Sequence, residues 1–254
     1  MGLIQGVTEF IPVSSSGHLA VLEHLLGVKP PGASFEIALH MGTLVAVLAY
    51  YRRELADLLL GLLDPDRREQ RHLALAIVIG SVPAAIVGVA AEASVESAFA
   101  SMRSVGVGFL IGGTLMLLGS LGRAHNGPRR ARVSAADALW VGLAQSVALL
   151  PGVSRSGSTI SAGVLRGLSR EAAAKFSFLL AIPVVGGAGA LKLLRLWHGQ
   201  GTLGVEPLAL AIGLVSSAIS GYVSIGALVG WLKKRSLRSF GWYCLCVGLV
   251  FVWL

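Results

Sequence analysis

The chain has 254 residues, 54% of them hydrophobic and only 13% charged, with a mean hydropathy of +0.75. A soluble domain carries about a quarter charged residues, so this composition excludes an ordinary soluble enzyme and points to a chain solvated by lipid. The formal net charge of +8 would suit nucleic acid, but in so apolar a chain it fits basic cytoplasmic loops better, and no nucleic-acid partner is expected.

In chain order, residues 2–26 form an apolar stretch broken by Pro12 and the polar run "VSSSGH". Three full spans are expected next, Phe35–Tyr51, His72–Ala91 and Val105–Gly122. A second broken stretch occupies 136–165, interrupted by "PGVSRSGS", and the spans Phe176–Leu196, Val205–Leu232 and Phe240–Leu254 follow. The segments between spans read as polar loops. Ten-residue segments with period-2 alternation, the mark of a transmembrane barrel, are missing. The expected class is therefore an all-α polytopic membrane protein forming one domain over 1–254. Cys244 and Cys246 lie in the last apolar run and read as small buried hydrophobes rather than a disulfide or metal site. No basic n-region precedes the first polar cluster, so a cleavable signal peptide is not expected.

The two broken stretches align without a gap at an offset of 140 residues: "GLIQGVTEFIPVSSSG" from Gly2 and "GLAQSVALLPGVSRSG" from Gly142. Gapless matching through a rare polar centre points to an internal repeat, 1–125 and 135–254, each half a re-entrant hairpin plus three spans. Lys and Arg number 5 in residues 52–71, 4 in 123–132, 3 in 166–175 and 4 in 233–238, against one in 92–104 and none in 197–204. Basic loops in the cytoplasm then put both termini outside, and three spans per half give the halves opposite orientations. Lys192 and Arg195 fall near an outer helix end, where they would have to snorkel. Hairpins entering from opposite faces can meet at mid-membrane, where irregular backbone is tolerated only if it lines a polar cavity.

Through the repeat, Glu9 corresponds to Leu149, Ser15 to Arg155 and His18 to Ser158. The first tip thus offers a base, a nucleophile and a proton carrier, and the second offers a fixed cation. Arg155 is costly at that depth unless paired or hydrated, and its planar fork suits phosphate or carboxylate. Ser154, Ser156, Ser158 and Thr159, with N–H groups around Gly152 and Gly157, could complete an anion cradle at a helix start. An ion pair between Arg155 and Glu9 that only staples the hairpins is the plainer alternative. Glu9 and Gln5 share a helix face, and Glu9 could hold a divalent metal or accept a proton. His18 follows Ser14, Ser15 and Ser16; it reads equally as catalytic or as a packing residue, and one of the serines as an N-cap. Glu36 and His40, four apart, read better as a helix–helix hydrogen bond than as part of a site.

"QGVTEFIPVSSSGH" and "LLPGVSRSGST", with "FEIALHMGTLVAV" and "KFSFLLAIPVV" after the two hairpins, resemble the bacterial undecaprenyl pyrophosphate phosphatases of the bacitracin-resistance type over essentially the whole chain. The resemblance implies a multi-pass enzyme of the bacterial cytoplasmic (inner) membrane. It would hydrolyse undecaprenyl diphosphate to the monophosphate and phosphate, recycling the lipid carrier of cell-wall synthesis. By motif position it implies Glu9, Ser15, His18 and Arg155 as essential residues, with Gln5 and Ser154 supporting. Ser14, Ser16, Ser154, Ser156, Gly157 and Thr159 would bind substrate. A divalent cation, Mg²⁺ or Ca²⁺, is implied, with Glu9 and more weakly Gln5 as ligands. The chain starts closer to the first motif than is usual in the family, so part of the first half-helix is expected to be missing. The expected partners are the prenyl diphosphate lipid and the bilayer, with a homodimer left open. A flippase or transporter on the same repeat is the alternative function. The vanadium-haloperoxidase-like lipid phosphatases, which "SSSGH" faintly echoes, need a His shortly after the Ser-Arg motif, and none occurs before His198.

Overall fold

The computed structural model describes residues 1–27, 33–64, 66–99, 101–121, 129–198 and 206–253. Within them the regular structure is twelve helices. A first pair, α1 (Gly2–Phe10) and α2 (Ser15–Leu26), leads into α3 (Ala33–Tyr50), α4 (Arg52–Leu63), α5 (Arg68–Ala90), α6 (Glu92–Phe99) and α7 (Met102–Leu121). A second pair, α8 (Ala135–Val147) and α9 (Arg155–Leu165), leads into α10 (Arg170–Trp197), α11 (Pro207–Lys234) and α12 (Arg238–Val252).

Both broken stretches are short helix, break, short helix. α1 ends before Pro12: Ile11 is extended at φ −62°, ψ 125°, the conformation that a following proline imposes. The chain then turns through Ser14, whose φ of +70° is unusual for a residue with a side chain. Ser14 Oγ accepts the Gly17 N–H at 3.2 Å and so caps α2. In the second pair the turn is made at Gly152, φ +85°, just after Pro151. Ser154 Oγ accepts the Gly157 N–H at 3.1 Å and caps α9 in the same way. These are the two breaks expected from the sequence.

Four helices are long and apolar enough to cross a membrane: Arg68–Ala90, Met102–Leu121, Arg170–Arg195 and Pro207–Lys234. Two shorter apolar helices, Phe35–Tyr50 and Arg238–Val252, stand where the other two spans are expected. The expected span ends Gly122, Val205 and Leu254 lie outside the described residues, as does most of the loop at 197–204. Leu75, Val78, Val82, Ile86 and Val89 make an exposed apolar stripe along α5, while on α11 the small polar residues Ser217, Ser220 and Ser224 are buried. Apolar side chains outward and hydroxyls inward are the arrangement that lipid solvent favours.

Helix contacts are close because small residues sit at them. On α7, Gly113 and Gly106 face Gly241 and Gly248 of α12. A Cβ on Gly113 would lie 2.8 Å from Gly241 O, and one on Gly248 would lie 2.9 Å from Gly106 O. α1 packs on α11 through Gly2 and Gly6, and α8 packs on α5 where Gly142 meets Gly80. Ser217 Oγ of α11 donates to Leu39 O of α3 at 2.9 Å. Phe10, Phe178 and Tyr51 lie at the centre, the two phenylalanine rings edge to face at 5.5 Å.

Several expectations are corrected. The segments at 52–71 and 92–104, expected as plain loops, contain the helices α4 and α6. Their charges cluster at the helix starts (Arg52, Arg53, Glu54 and Glu92), where they resemble loop composition, and Glu54 and Glu92 complement the positive helix end. Cys244 is buried, but Cys246 is exposed, because residues two apart on a helix face nearly opposite ways. Arg195 does not merely snorkel: it binds both oxygens of Glu92, at 2.5 and 2.9 Å.

Outside the spans, Asp137 anchors the start of α8. Its side chain is fully buried and receives Arg130 Nη1 at 2.9 Å, Arg166 Nε at 3.1 Å and Ser134 Oγ at 2.7 Å. Burial pushes this carboxyl up, but the hydrogen bonds from Arg130, Ser134 and Arg166 outweigh it and hold the group at about 2.

Candidate active site

The two breaks bring three reactive side chains together. Glu9 lies in the last turn of α1, Ser15 opens α2 and Arg155 opens α9. The buried Glu9 carboxylate accepts Ser15 Oγ at 2.5 Å and Gln5 Nε2 at 3.2 Å on Oε2, and Arg155 Nη2 at 2.6 Å on Oε1. Arg155 Nη1 also donates to Ser177 O of α10 at 3.3 Å. Glu9 is 8% exposed and the Arg155 side chain 14%, so this charged contact is shielded from water on most sides. Short, charge-assisted bonds of this kind fix direction as well as distance.

A cavity of about 260 Å³ opens beside the trio. Glu9, Ser14, Ser15, Ser16, Ser154 and Arg155 form its polar wall. The opposite wall comes from α3 and α10 and is largely apolar, with Ile37, Met41, Val184 and Val185 among its residues. A polar end joined to an apolar wall suits an amphiphile with an anionic head.

Of the serines, Ser14 and Ser154 are the caps, and Ser16 and Ser156 lie within 3.4 and 3.3 Å of them. Thr159 Oγ1 donates to Arg155 O at 2.7 Å and lies 2.6 Å from Ser177 Oγ. Ser156, Gly157 and Thr159 are fully buried and are not among the residues lining the cavity. They support the α9 start rather than face the cavity.

His18 sits on the far side of α2. Its Nδ1 is 2.8 Å from Ser14 O and its Nε2 is 2.7 Å from the Tyr243 hydroxyl. The ring stacks on Tyr243 at 5.8 Å and meets Phe109 edge-on at 5.5 Å. A carbonyl only accepts, so Nδ1 carries the proton and the neutral ring's Nε2 accepts from Tyr243. Both nitrogens are occupied, and His18 is not among the cavity residues.

Sequence reasoning missed other residues here. Glu36 and His40 both line the cavity, as Glu9 does, and His40 Nδ1 lies 2.9 Å from Glu36 O within its own helix. Lys192 and Gln145 line the cavity too. For Gln145 a signal was present, since it aligns with Gln5 at the offset of 140 residues. For Lys192 the signal was its position on an apolar span.

The residues present do not form a metal cage. No group of three or more His, Cys, Asp or Glu placed to hold an ion occurs among the described residues. Both Glu9 oxygens are already bonded, and Gln5, whose Oε1 has no partner among the described residues, does not line the cavity. A cation would need most of its oxygens from a ligand.

Residues 1–250 match the model of the family described as bacitracin resistance protein BacA. A relative from Pelobacter propionicus is 42% identical across 98% of this chain and 92% of its own length. One from Geobacter metallireducens is also 42% identical, covering 98% and 93%. One from Halothermothrix orenii is 37% identical, covering 99% and 95%. All three are named undecaprenyl-diphosphatase.

Proposed function

Because the chain belongs to the bacitracin resistance protein BacA family, we infer that it is an undecaprenyl-diphosphatase. It hydrolyses undecaprenyl diphosphate to undecaprenyl phosphate and inorganic phosphate. The observation that carries the site assignment is the meeting of Glu9, Ser15 and Arg155, from both hairpins, at the polar wall of one cavity.

In this reading Ser15 Oγ attacks the terminal phosphorus while its proton passes to Glu9 Oε2, along a hydrogen bond already 2.5 Å long. The bond from phosphorus to the bridging oxygen breaks, and undecaprenyl phosphate leaves with the electron pair. Water then attacks the phosphoserine, the bond from phosphorus to Ser15 Oγ breaks, the serine oxygen takes back the proton held on Glu9, and phosphate is released. Arg155 exchanges Glu9 Oε1 for the phosphoryl oxygens as their charge shifts. If a divalent cation, Mg²⁺ or Ca²⁺, takes part, Glu9 is the cavity carboxylate that would help to hold it, and it would supply positive charge to offset the phosphoryl charge. His18 positions rather than reacts: it ties the Ser14 carbonyl, one residue before the nucleophile, to Tyr243. The lipid tail lies along the apolar wall of α3 and α10.

The test is phosphate release from a prenyl diphosphate by purified protein in detergent. Ser15→Ala and Arg155→Ala should each lose about 10²-fold or more in kcat while keeping the fold. Acid quenching should trap phosphate on Ser15. Full activity in both variants would end the assignment, and turnover without any phosphoenzyme would transfer the attack to water.

We further infer that the halves 1–125 and 135–254 are inverted repeats in the bacterial cytoplasmic membrane, with both termini outside. This is supported by the matched caps at Ser14 and Ser154 and by the exchanged packing, α1 on α11 and α8 on α5. An impermeant thiol reagent should label a cysteine placed at Glu206 from outside but not one at Arg68; the reverse pattern would refute this orientation.

A further inference from the structure

The carboxamide of Gln145 is the one cavity-lining side chain, among the described residues, whose polar atoms are buried without any hydrogen-bond partner. The residue is 1% exposed and lies in the last turn of α8. Its repeat counterpart Gln5 is equally buried, but there Nε2 donates to Glu9, four residues on. Four residues after Gln145 stands Leu149, which cannot accept a hydrogen bond. Leaving a buried amide unpaired is costly, so its retention on the cavity wall calls for a partner that comes and goes.

We propose that Gln145 is a headgroup ligand: its Nε2 donates a hydrogen bond to a non-bridging oxygen of the bound diphosphate. The geometry of the second hairpin supports this. Gln145 ends α8 and Arg155 begins α9, so the amide and the guanidinium flank the same turn and line the same cavity. The walls contributed by α3 and α10 are apolar at Ile37, Met41, Val184 and Val185, and although Glu36, His40 and Lys192 also line the cavity, none of them hydrogen-bonds the amide. Arg155 supplies charge, and Gln145 supplies a fixed direction without charge. This assignment rests on the phosphatase reading of the cavity.

The test compares wild type with Gln145→Leu and Gln145→Glu, using phosphate release from a short-chain prenyl diphosphate and binding of its non-hydrolysable methylene-diphosphonate analogue. A hydrogen bond to a charged oxygen predicts that Gln145→Leu raises KM and weakens analogue binding about 10-fold or more, with a smaller effect on kcat. Gln145→Glu should weaken both further, since it replaces a donor by a like charge. Thermal unfolding of ligand-free Gln145→Leu should be unchanged or higher, because a buried unpaired amide has been removed. Unchanged KM and analogue affinity in both variants would overturn the proposal, as would an effect confined to the divalent-cation dependence. A drop in unfolding temperature of ligand-free Gln145→Leu, with wild-type affinity, would make the residue structural and would also overturn it. Wild-type protein that neither binds the analogue nor releases phosphate would instead refute the phosphatase reading itself.

Discussion

The first and second hairpins share a backbone device and differ in almost everything that device presents. In each, a serine caps the second helix through the N–H three residues on, and a proline precedes it. Yet the first hairpin places a carboxylate and a hydroxyl bonded to it at its tip, and the second places a cation. The turn itself is reached differently, through left-handed Ser14 in one and through Gly152 in the other. Two capped breaks supply two helix starts at one cavity, and the side chains there differ in charge. Neither hairpin holds a site alone.

That division can be broken most severely by exchanging the charges. If Glu9 and Arg155 were only a staple, Glu9→Arg combined with Arg155→Glu would restore the ion pair and the activity. The expected result is a loss of about 10²-fold or more in kcat, measured by phosphate release, because base and phosphate ligand need their own places. Making the hairpins more alike should also do damage. Leu149→Glu gives the second hairpin the acceptor it lacks, and the new carboxylate would capture Gln145 and compete for Arg155. A fall in kcat/KM of about 10-fold is expected, with affinity for the diphosphonate analogue falling in parallel.

A smaller effect tests stability apart from chemistry. Asp137 serves the second hairpin far from the cavity, and its carboxyl is held below its ordinary value. Its stabilisation is therefore complete above about pH 4 and is lost as pH falls through about 2. Asp137→Asn should cost about 3 kcal/mol near neutral pH and flatten the acid limb of the unfolding curve, since it leaves Arg130 and Arg166 without their buried partner. Ser154→Ala should cost about 1 kcal/mol through the lost cap. Smallest of all, Tyr243→Phe should lower kcat a few-fold without changing the pH dependence of the rate. A displaced pH limb would return His18 to a proton-transfer role.

The sequence carried the two breaks and the six apolar segments, because proline, left-handed turns and long apolar runs leave local marks. It also carried the contact among Glu9, Ser15 and Arg155, since all three stand at the polar breaks of the two stretches that align without a gap. Helix facing was harder to read. His18 is three residues from Ser15, yet its ring turns back onto Ser14 O and away from the cavity, a choice made by Tyr243 and Phe109 from distant helices. His40 and Glu36 looked like a helix–helix contact because nothing local reveals that α3 walls the cavity. α4 and α6 were hidden by charges that suit helix starts as well as loops.

Helix α7 sets a mechanical tolerance for all of this. Its glycines meet α12 on one side and the second hairpin on the other: the position of a Cβ on Gly112 lies 3.2 Å from Ser154 N, and Gly108 abuts the carbonyl of Pro151. One methyl group at either position would push on the turn that carries Arg155, with bare backbone behind it and no soft side chain to absorb the displacement. The contact between Glu9 and Arg155 is therefore gauged from behind. A residue that never touches substrate, on a helix outside the cavity, decides how far apart the two halves of the site stand.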